Sequence, residues 1–143
     1  MPNDFATMRL RPFFEAFQAK NAAGDVDALA VLYAPTILVA TPTGTSVVPF
    51  SALRAAAHHR RQLLDALGIP NARLVTVSGM ALDDRYALAR TEWLFSLPSK
   101  AADVTLASTF IIERIDSAEP RIIVYMNHQD LLAVLRDHGL HVD

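Results

Sequence analysis

The sequence contains no cysteine. That excludes a disulfide framework, a thiolate metal site and a cysteine nucleophile. It has no lysine–arginine block, and its formal net charge is only -2. A partner held through a phosphate backbone is therefore not expected, so no nucleic-acid binding is read here. No apolar run approaches the roughly 18 residues that a membrane-spanning helix needs. The opening Met1-Pro2-Asn3-Asp4 lacks the basic-then-apolar pattern of a secretory leader. These absences lead us to expect a cytoplasmic protein with no membrane partner. There is no Gly-x-Ser-x-Gly elbow, no phosphate loop and no dinucleotide fingerprint, so neither covalent catalysis nor a cofactor is expected. The histidines show no metal-ligand spacing. His58 and His59 are adjacent, His128 stands apart, and His138 and His141 lie near the tail. No metal is expected.

What is present points to a globular chain. Hydrophobic residues make up 52% and charged residues 20%, a balance that opposes disorder. The 143 residues fit one domain, residues 1–143, large enough to bury a core. Pro12 suits a first helical turn, and Phe13, Phe14 and Phe17 follow at helical spacing to about Ala23. Gly24 ends that helix. Asp25 caps a second, short helix to about Ala34, which Pro35 stops. Ile37 to Thr41 reads as a strand, with a turn at 43–46 and a brief pairing at Val47-Val48. Ser51 is placed as the cap of a third helix running to about Leu67, with Leu53, Ala56, Ala57, Leu64 and Leu67 as its apolar stripe. Arg54, Arg60 and Arg61 are assigned to its solvated side. Gly68 and Pro70 end it.

The pattern then changes to strands. Arg73–Ser78, Arg85–Leu97, Val104 to about Ile115 and Arg121–Asn127 form a meander, with turns at 82–84, 98–100 and 117–120. A closing helix begins at Leu131. The second of these strands organises the chain, because it is long and contains no glycine or proline. Strand alternation puts Leu88, Arg90, Glu92 and Leu94 on one face, and Ala87, Ala89, Thr91, Trp93 and Phe95 on the other. The whole order gives an α+β class: a cone-shaped, curved antiparallel sheet with three to four helices on one face and a pocket between them.

This order, with Asn21-Ala22-Ala23-Gly24-Asp25-Val26-Asp27-Ala28-Leu29 before Leu32-Tyr33-Ala34, resembles the nuclear-transport-factor-2-like superfamily. That is the cystatin-like cone of SnoaL-like cyclases, ketosteroid isomerases and limonene-epoxide hydrolases. The resemblance spans Pro12 to Leu140 and implies a small hydrophobic ligand. Where steroid isomerases carry a tyrosine and two aspartates, this chain has Phe17, Thr41 and Ser108. None of them does that chemistry, so steroid isomerisation is rejected. The epoxide hydrolases' Arg-x-Asp pair and final Asp match Arg90-Thr91-Glu92 and Asn127. Asn127 orients water but cannot take its proton.

The resemblance therefore implies Glu92 as acid or base, Arg90 as its anion-binding partner, and Asn127 as the third catalytic position. Phe14, Phe17, Tyr33, Leu88, Leu106, Ser108, Phe110 and Tyr125 would bind the ligand. The chemistry would be a cofactor-independent cyclisation, dehydration, isomerisation or hydrolysis. The alternative is a non-catalytic ligand sensor or interaction dimer, with Arg90 and Glu92 forming a solvated salt bridge. Trp93 and Phe95, beside Thr105, Ala107, Thr109 and Ile111, are assigned to the back of the sheet as a homodimer face. A one-residue slip of register would put Trp93 inside instead.

Overall fold

The computed structural model describes residues 4–98 and 103–140, with side chains from Arg9 onward. Helix α1 spans Asp4–Ala22. It starts earlier than the pattern from Pro12 suggested, and Pro12 lies inside it with its ring exposed. Leu10, Phe13, Phe14 and Phe17 follow the i, i+3, i+4, i+7 spacing of one helical face. The first three are buried, and Phe17 is half-buried. Gly24 takes φ 71°, the left-handed conformation that ends a helix. Asp25 then caps α2 (Val26–Leu29), its carboxylate accepting from the Ala28 N–H at 3.0 Å.

A 3-10 turn, Ala30–Leu32, leads directly into strand β1, Tyr33–Thr41. Tyr33 and Ala34, expected at the end of a helix, are thus already in a strand. Pro35 accounts for this, because its ring drives the preceding residue out of the helical region. Strand β2 (Gly44–Pro49) makes a full hairpin with β1, not the brief pairing expected. Helix α3 (Phe50–Ala66) starts one residue before Ser51, with Pro49 at its N-cap. Strands β3 (Arg73–Ala81), β4 (Tyr86–Phe95), β5 (Val104–Glu113) and β6 (Arg121–Asn127) form the meander. Helix α4 (Leu131–Asp137) follows, capped by Asp130. Ser99 and Lys100 of the expected turn lie outside the described residues, as does His141.

The six strands form one curved open sheet in the order β2-β1-β6-β5-β4-β3. Every neighbouring pair is antiparallel except β1 with β6, which run parallel. That pairing joins the early hairpin to the late meander. Phe14 of α1 meets Phe110 of β5 at 4.8 Å between ring centroids, and Phe17 meets Trp93 of β4 at 5.7 Å. Tyr33 of β1 meets Phe50 of α3 at 5.4 Å. Both long helices therefore cover the same face of the sheet.

Strand β4 alternates in the opposite phase to the one the family pattern suggested. Ala87, Ala89, Thr91, Trp93 and Phe95 are buried against the helices. Leu88, Arg90, Glu92 and Leu94 point to the outer face, Arg90 exposed and the other three half-buried. The energetics explain the choice. Burying a large apolar side chain yields roughly 1.5–3 kcal/mol. Burying an ionised group costs several kcal/mol even after relaxation. The charged face goes to water.

Gly79 sets the distance between α1 and the sheet. A Cβ there would strike the Leu10 side chain of α1 and lie 2.6 Å from the Leu88 carbonyl oxygen of β4. The carbonyl belongs to a paired strand and has little room to yield. Gly79→Ala is therefore expected to destabilise the fold by about 1–3 kcal/mol through overpacking. Urea unfolding checks this, and a change below about 0.5 kcal/mol would show that the close approach is not a constraint.

Candidate ligand cavity

The cone is not filled. A cavity of about 300 Å³ lies between the concave sheet and helices α1 and α3. That is at the lower end of the size of small-molecule sites, roughly 300–1,000 Å³. Its floor and walls are aromatic. Phe17, Tyr33, Phe50, Trp93, Phe95, Phe110 and Tyr125 all line it. Phe110 and Tyr125 stack at 4.9 Å with 13° between their planes. Space remains because α3 turns two alanines, Ala56 and Ala57, toward the sheet.

Of the positions expected to bind a ligand, Phe17, Tyr33, Leu106, Ser108, Phe110 and Tyr125 line this space, as does Asn127. Phe14 lies one layer deeper, fully buried between Phe13 and Phe110. Leu88, Arg90 and Glu92 are on the far side of the sheet and do not reach it. The pairing register makes that unavoidable. Thr91 lies opposite Ser108, which lies opposite Asn127. Directly paired residues share a face, so Arg90 shares the outer face with Thr109 and Met126. No ion pair joins Arg90 to Glu92 among the described residues. Glu92 instead accepts from the Thr76 hydroxyl at 2.7 Å.

Trp93 and Phe95, assigned to the back of the sheet, are cavity walls. Arg54, Arg60 and Arg61, assigned to solvent, line the cavity too. The signal that could have found Arg60 is helical spacing: Leu53, Ala57, Arg60 and Leu64 lie three or four residues apart, on one face. Phe50, Gln129 and Leu131 also line it and carried no sequence signal.

A polar row crosses the inner sheet face. The Trp93 indole N–H donates to Thr91 Oγ1 at 2.8 Å, and the Thr91 hydroxyl donates to the Ser108 carbonyl at 3.4 Å. The Ser108 hydroxyl donates to Asn127 Oδ1 at 3.1 Å. Gln129 Oε1 accepts from the Ala107 N–H at 2.9 Å. Two of the three arginines are already committed. Arg54 pairs with Asp27 at 2.8 Å. Arg61 binds Asp65 at 2.8 Å, the Ile69 carbonyl at 2.7 Å, and Asn71. Arg60 lies over the Phe95 ring at 5.6 Å.

Burial holds the Tyr33 phenol well above the ordinary tyrosine range, and Tyr125 adds to the effect. The Arg60 charge pulls the other way without cancelling it. Tyr33 is therefore a neutral hydrogen-bond donor, not a base. Among the described residues, no carboxylate or imidazole lines the cavity. Nor is there a cluster of three His, Cys, Asp or Glu side chains placed to hold a metal ion.

A second space of about 310 Å³ adjoins the first, bounded by the β1–β2 turn, α3 and α4. Arg60, Leu64, Asn127, Gln129 and Leu131 border both. His59 and Asp130 border only the second, and the Asp130 carboxylate accepts from the Leu132 N–H at 3.0 Å. His128 lies outside both, its Nε2 2.6 Å from the Thr109 hydroxyl.

No protein-family model and no curated protein matches the sequence. Solved structures do match. One is an NTF2-like protein of unknown function from Pseudomonas putida KT2440. It is 14% identical with a TM-score of 0.70, and the match covers 90% of this chain and 89% of that one. Another is an NTF2-like protein with a cystatin-like fold from Novosphingobium aromaticivorans, 18% identical with a TM-score of 0.66. That match covers 94% and 88% of the two chains. A third is a hypothetical protein with a ketosteroid isomerase-like fold from Catenulispora acidiphila DSM 44928, in complex with trimethylamine. It is 14% identical with a TM-score of 0.58, covering 90% and 93%. The fold is that of the NTF2-like, cystatin-like proteins, as the segment before Tyr33 suggested.

Two predictions follow from the inner face. Thr91→Val keeps the shape of the side chain but removes the acceptor of a buried indole N–H. Leaving such a donor unpaired costs about 1–3 kcal/mol. Urea unfolding should show that loss, and an unchanged midpoint would mean the indole finds another partner. The second concerns alkali. An unfolded tyrosine titrates near 10.0, while folded Tyr33 keeps its proton. Below that pH both states are protonated and Tyr33 contributes no slope. Above it the unfolded state binds fewer protons, so stability falls as pH rises. Tyr33→Phe should flatten that fall in unfolding series run from pH 9 upward, and an equal slope in both proteins would refute the assignment.

Proposed function

We propose that this protein binds a small, largely apolar molecule in the cavity between α1, α3 and the concave sheet. The observation that carries the reading is the cavity's make-up: about 300 Å³ walled by aromatic side chains, with a few convergent polar groups. The trimethylamine bound to the Catenulispora acidiphila neighbour supports small-molecule binding in a fold of this kind. Acid/base turnover through Arg90 and Glu92 loses its support, because neither side chain faces the cavity. Asn127, Tyr33 and Ser108 remain as groups that orient a ligand. The reading is thus of a binding or sensing domain, not an enzyme.

Trp93 lines the cavity and is the only tryptophan. Its fluorescence therefore reports on occupancy. Titration with the neutral probe 2-naphthalenemethanol, paired with calorimetry, should give saturable binding. Ala57→Trp places a bulky ring in the cavity and should abolish that binding while the far-ultraviolet circular dichroism is kept. No saturation with the native chain, or equal affinity in the filled variant, overturns the proposal.

We also propose that the outer sheet face joins two copies of the chain. Leu38 and Met126 are exposed there, and Leu88, Leu94, Ile111 and Val124 are half-buried. These apolar side chains flank Arg90 and Glu92 on that face, and apolar surface gathered with a few polar groups is typical of an interface between subunits. Light scattering should give about twice the chain mass of 15.7 kDa, and Ile111→Glu should return the monomer. A monomeric native chain would end this reading without touching the first. Among the described residues, no helix is long and apolar enough to cross a membrane. A reducing compartment such as the cytoplasm suits a chain without cysteine.

A further inference from the structure

The geometry points to an organic carboxylate as the ligand class, with an aromatic or other compact apolar body in the cavity and its carboxylate on Arg60. This inference rests on the cavity being a binding site.

The argument begins with charge. Three guanidinium groups border the cavity, and no carboxylate does among the described residues. Asp27 neutralises Arg54, and Asp65 neutralises Arg61. Arg60 has no ion pair or hydrogen bond among the described residues; its contacts are the Phe95 ring beneath it and the field it exerts on Tyr33. A cation held over an aromatic face consumes none of its N–H donors. The fork that binds a carboxylate in bidentate fashion is left to a ligand.

The other polar groups point the same way. Asn127 Oδ1 is taken by Ser108, and Gln129 Oε1 by the Ala107 N–H. These side chains still offer both amide N–H donors, beside one remaining lone pair on each oxygen. Tyr33 keeps its proton. The remaining hydrogen-bonding capacity is thus dominated by donors and carries one positive charge. An anion satisfies it, whereas an ammonium ion finds no acceptor of matching charge.

Position completes the picture. Arg60, Asn127 and Gln129 stand where the two spaces meet. A carboxylate there leaves the apolar body among Phe17, Trp93 and Phe110, and turns the charged end toward the second space, where His59 also stands and where the Asp130 carboxylate is engaged in capping α4.

The test compares three probes of one shape by calorimetry: 2-naphthoate, 2-naphthalenemethanol and 2-naphthylmethylamine. On the native chain the carboxylate should bind about tenfold or more tightly than the alcohol, as expected when a charged hydrogen bond is added. The amine should bind more weakly than either. Arg60→Gln should bring the acid-to-alcohol ratio close to one, and Arg60→Lys should keep part of it. Thermal unfolding of both variants shows whether they are folded, and Arg60→Lys keeps the test decisive if the Gln variant is not. Equal binding of acid and alcohol to the native chain overturns the inference and leaves the cavity reading intact. So does a preference for the acid that survives in Arg60→Gln. If none of the three probes binds, the cavity reading fails and this inference fails with it.

Discussion

The register of three adjacent strands fixes most of what this protein can do. Thr91, Ser108 and Asn127 stand in one row across β4, β5 and β6. Once that row faces the helices, every second residue along each strand is committed to the inner face. Trp93 and Phe95 become walls by the same step that sends Arg90 and Glu92 to the outer face. Trp93 and Thr91, two residues apart on one strand, share a face in either phase, and this phase buries the hydrogen bond between them. Slipping β4 by one residue would expose both aromatics and bury two charges. The fold and the chemistry of the cavity are therefore decided together.

The cavity survives because the helices cover the cone unequally. Helix α1 presents Phe14 and Phe17 to Phe110 and closes the narrow side with ring-to-ring contacts. Helix α3 presents Ala56 and Ala57 where α1 has phenylalanines, and its long side chains lie at the rim. Close packing is the default for protein interiors, and an unfilled space forfeits contacts that its lining would otherwise make. Two alanines facing a row of aromatic rings leave room that neither side can close. A ligand would supply the missing contacts, which links the composition of α3 to the proposed role.

The element order was legible from the sequence because its signals are local. Gly24, Asp25 and Gly68 act through the backbone of their own neighbours, and helices begin or end beside them. The inner positions on β5 and β6 were also legible, since Ser108, Phe110, Tyr125 and Asn127 line the cavity. The phase of β4 was misjudged for an identifiable reason. Matching Arg90-Thr91-Glu92 to a catalytic pattern outweighed the simpler comparison of its two faces, one carrying two charges and the other a tryptophan and a phenylalanine. Arginine at the end of an apolar stripe was likewise read as solvated. Its aliphatic stem can cover an apolar wall while its head reaches a cavity. That depends on what faces the helix across space, which the local pattern does not contain.

The polar inventory limits what any bound molecule can undergo. General acid–base catalysis needs a group that exchanges a proton near the working pH. Among the described residues the cavity offers three guanidinium groups, four side-chain amides, the Ser108 hydroxyl and two phenols, that of Tyr33 held protonated by burial. These groups donate hydrogen bonds and can stabilise negative charge, but none readily accepts a proton near neutrality. An anion placed against Arg60 would be oriented and partly neutralised, with His59 and Asp130 bordering only the adjoining space. Among the described residues, the same lack of acidic side chains that would suit the cavity to a carboxylate leaves its lining without a carboxylate to take a proton.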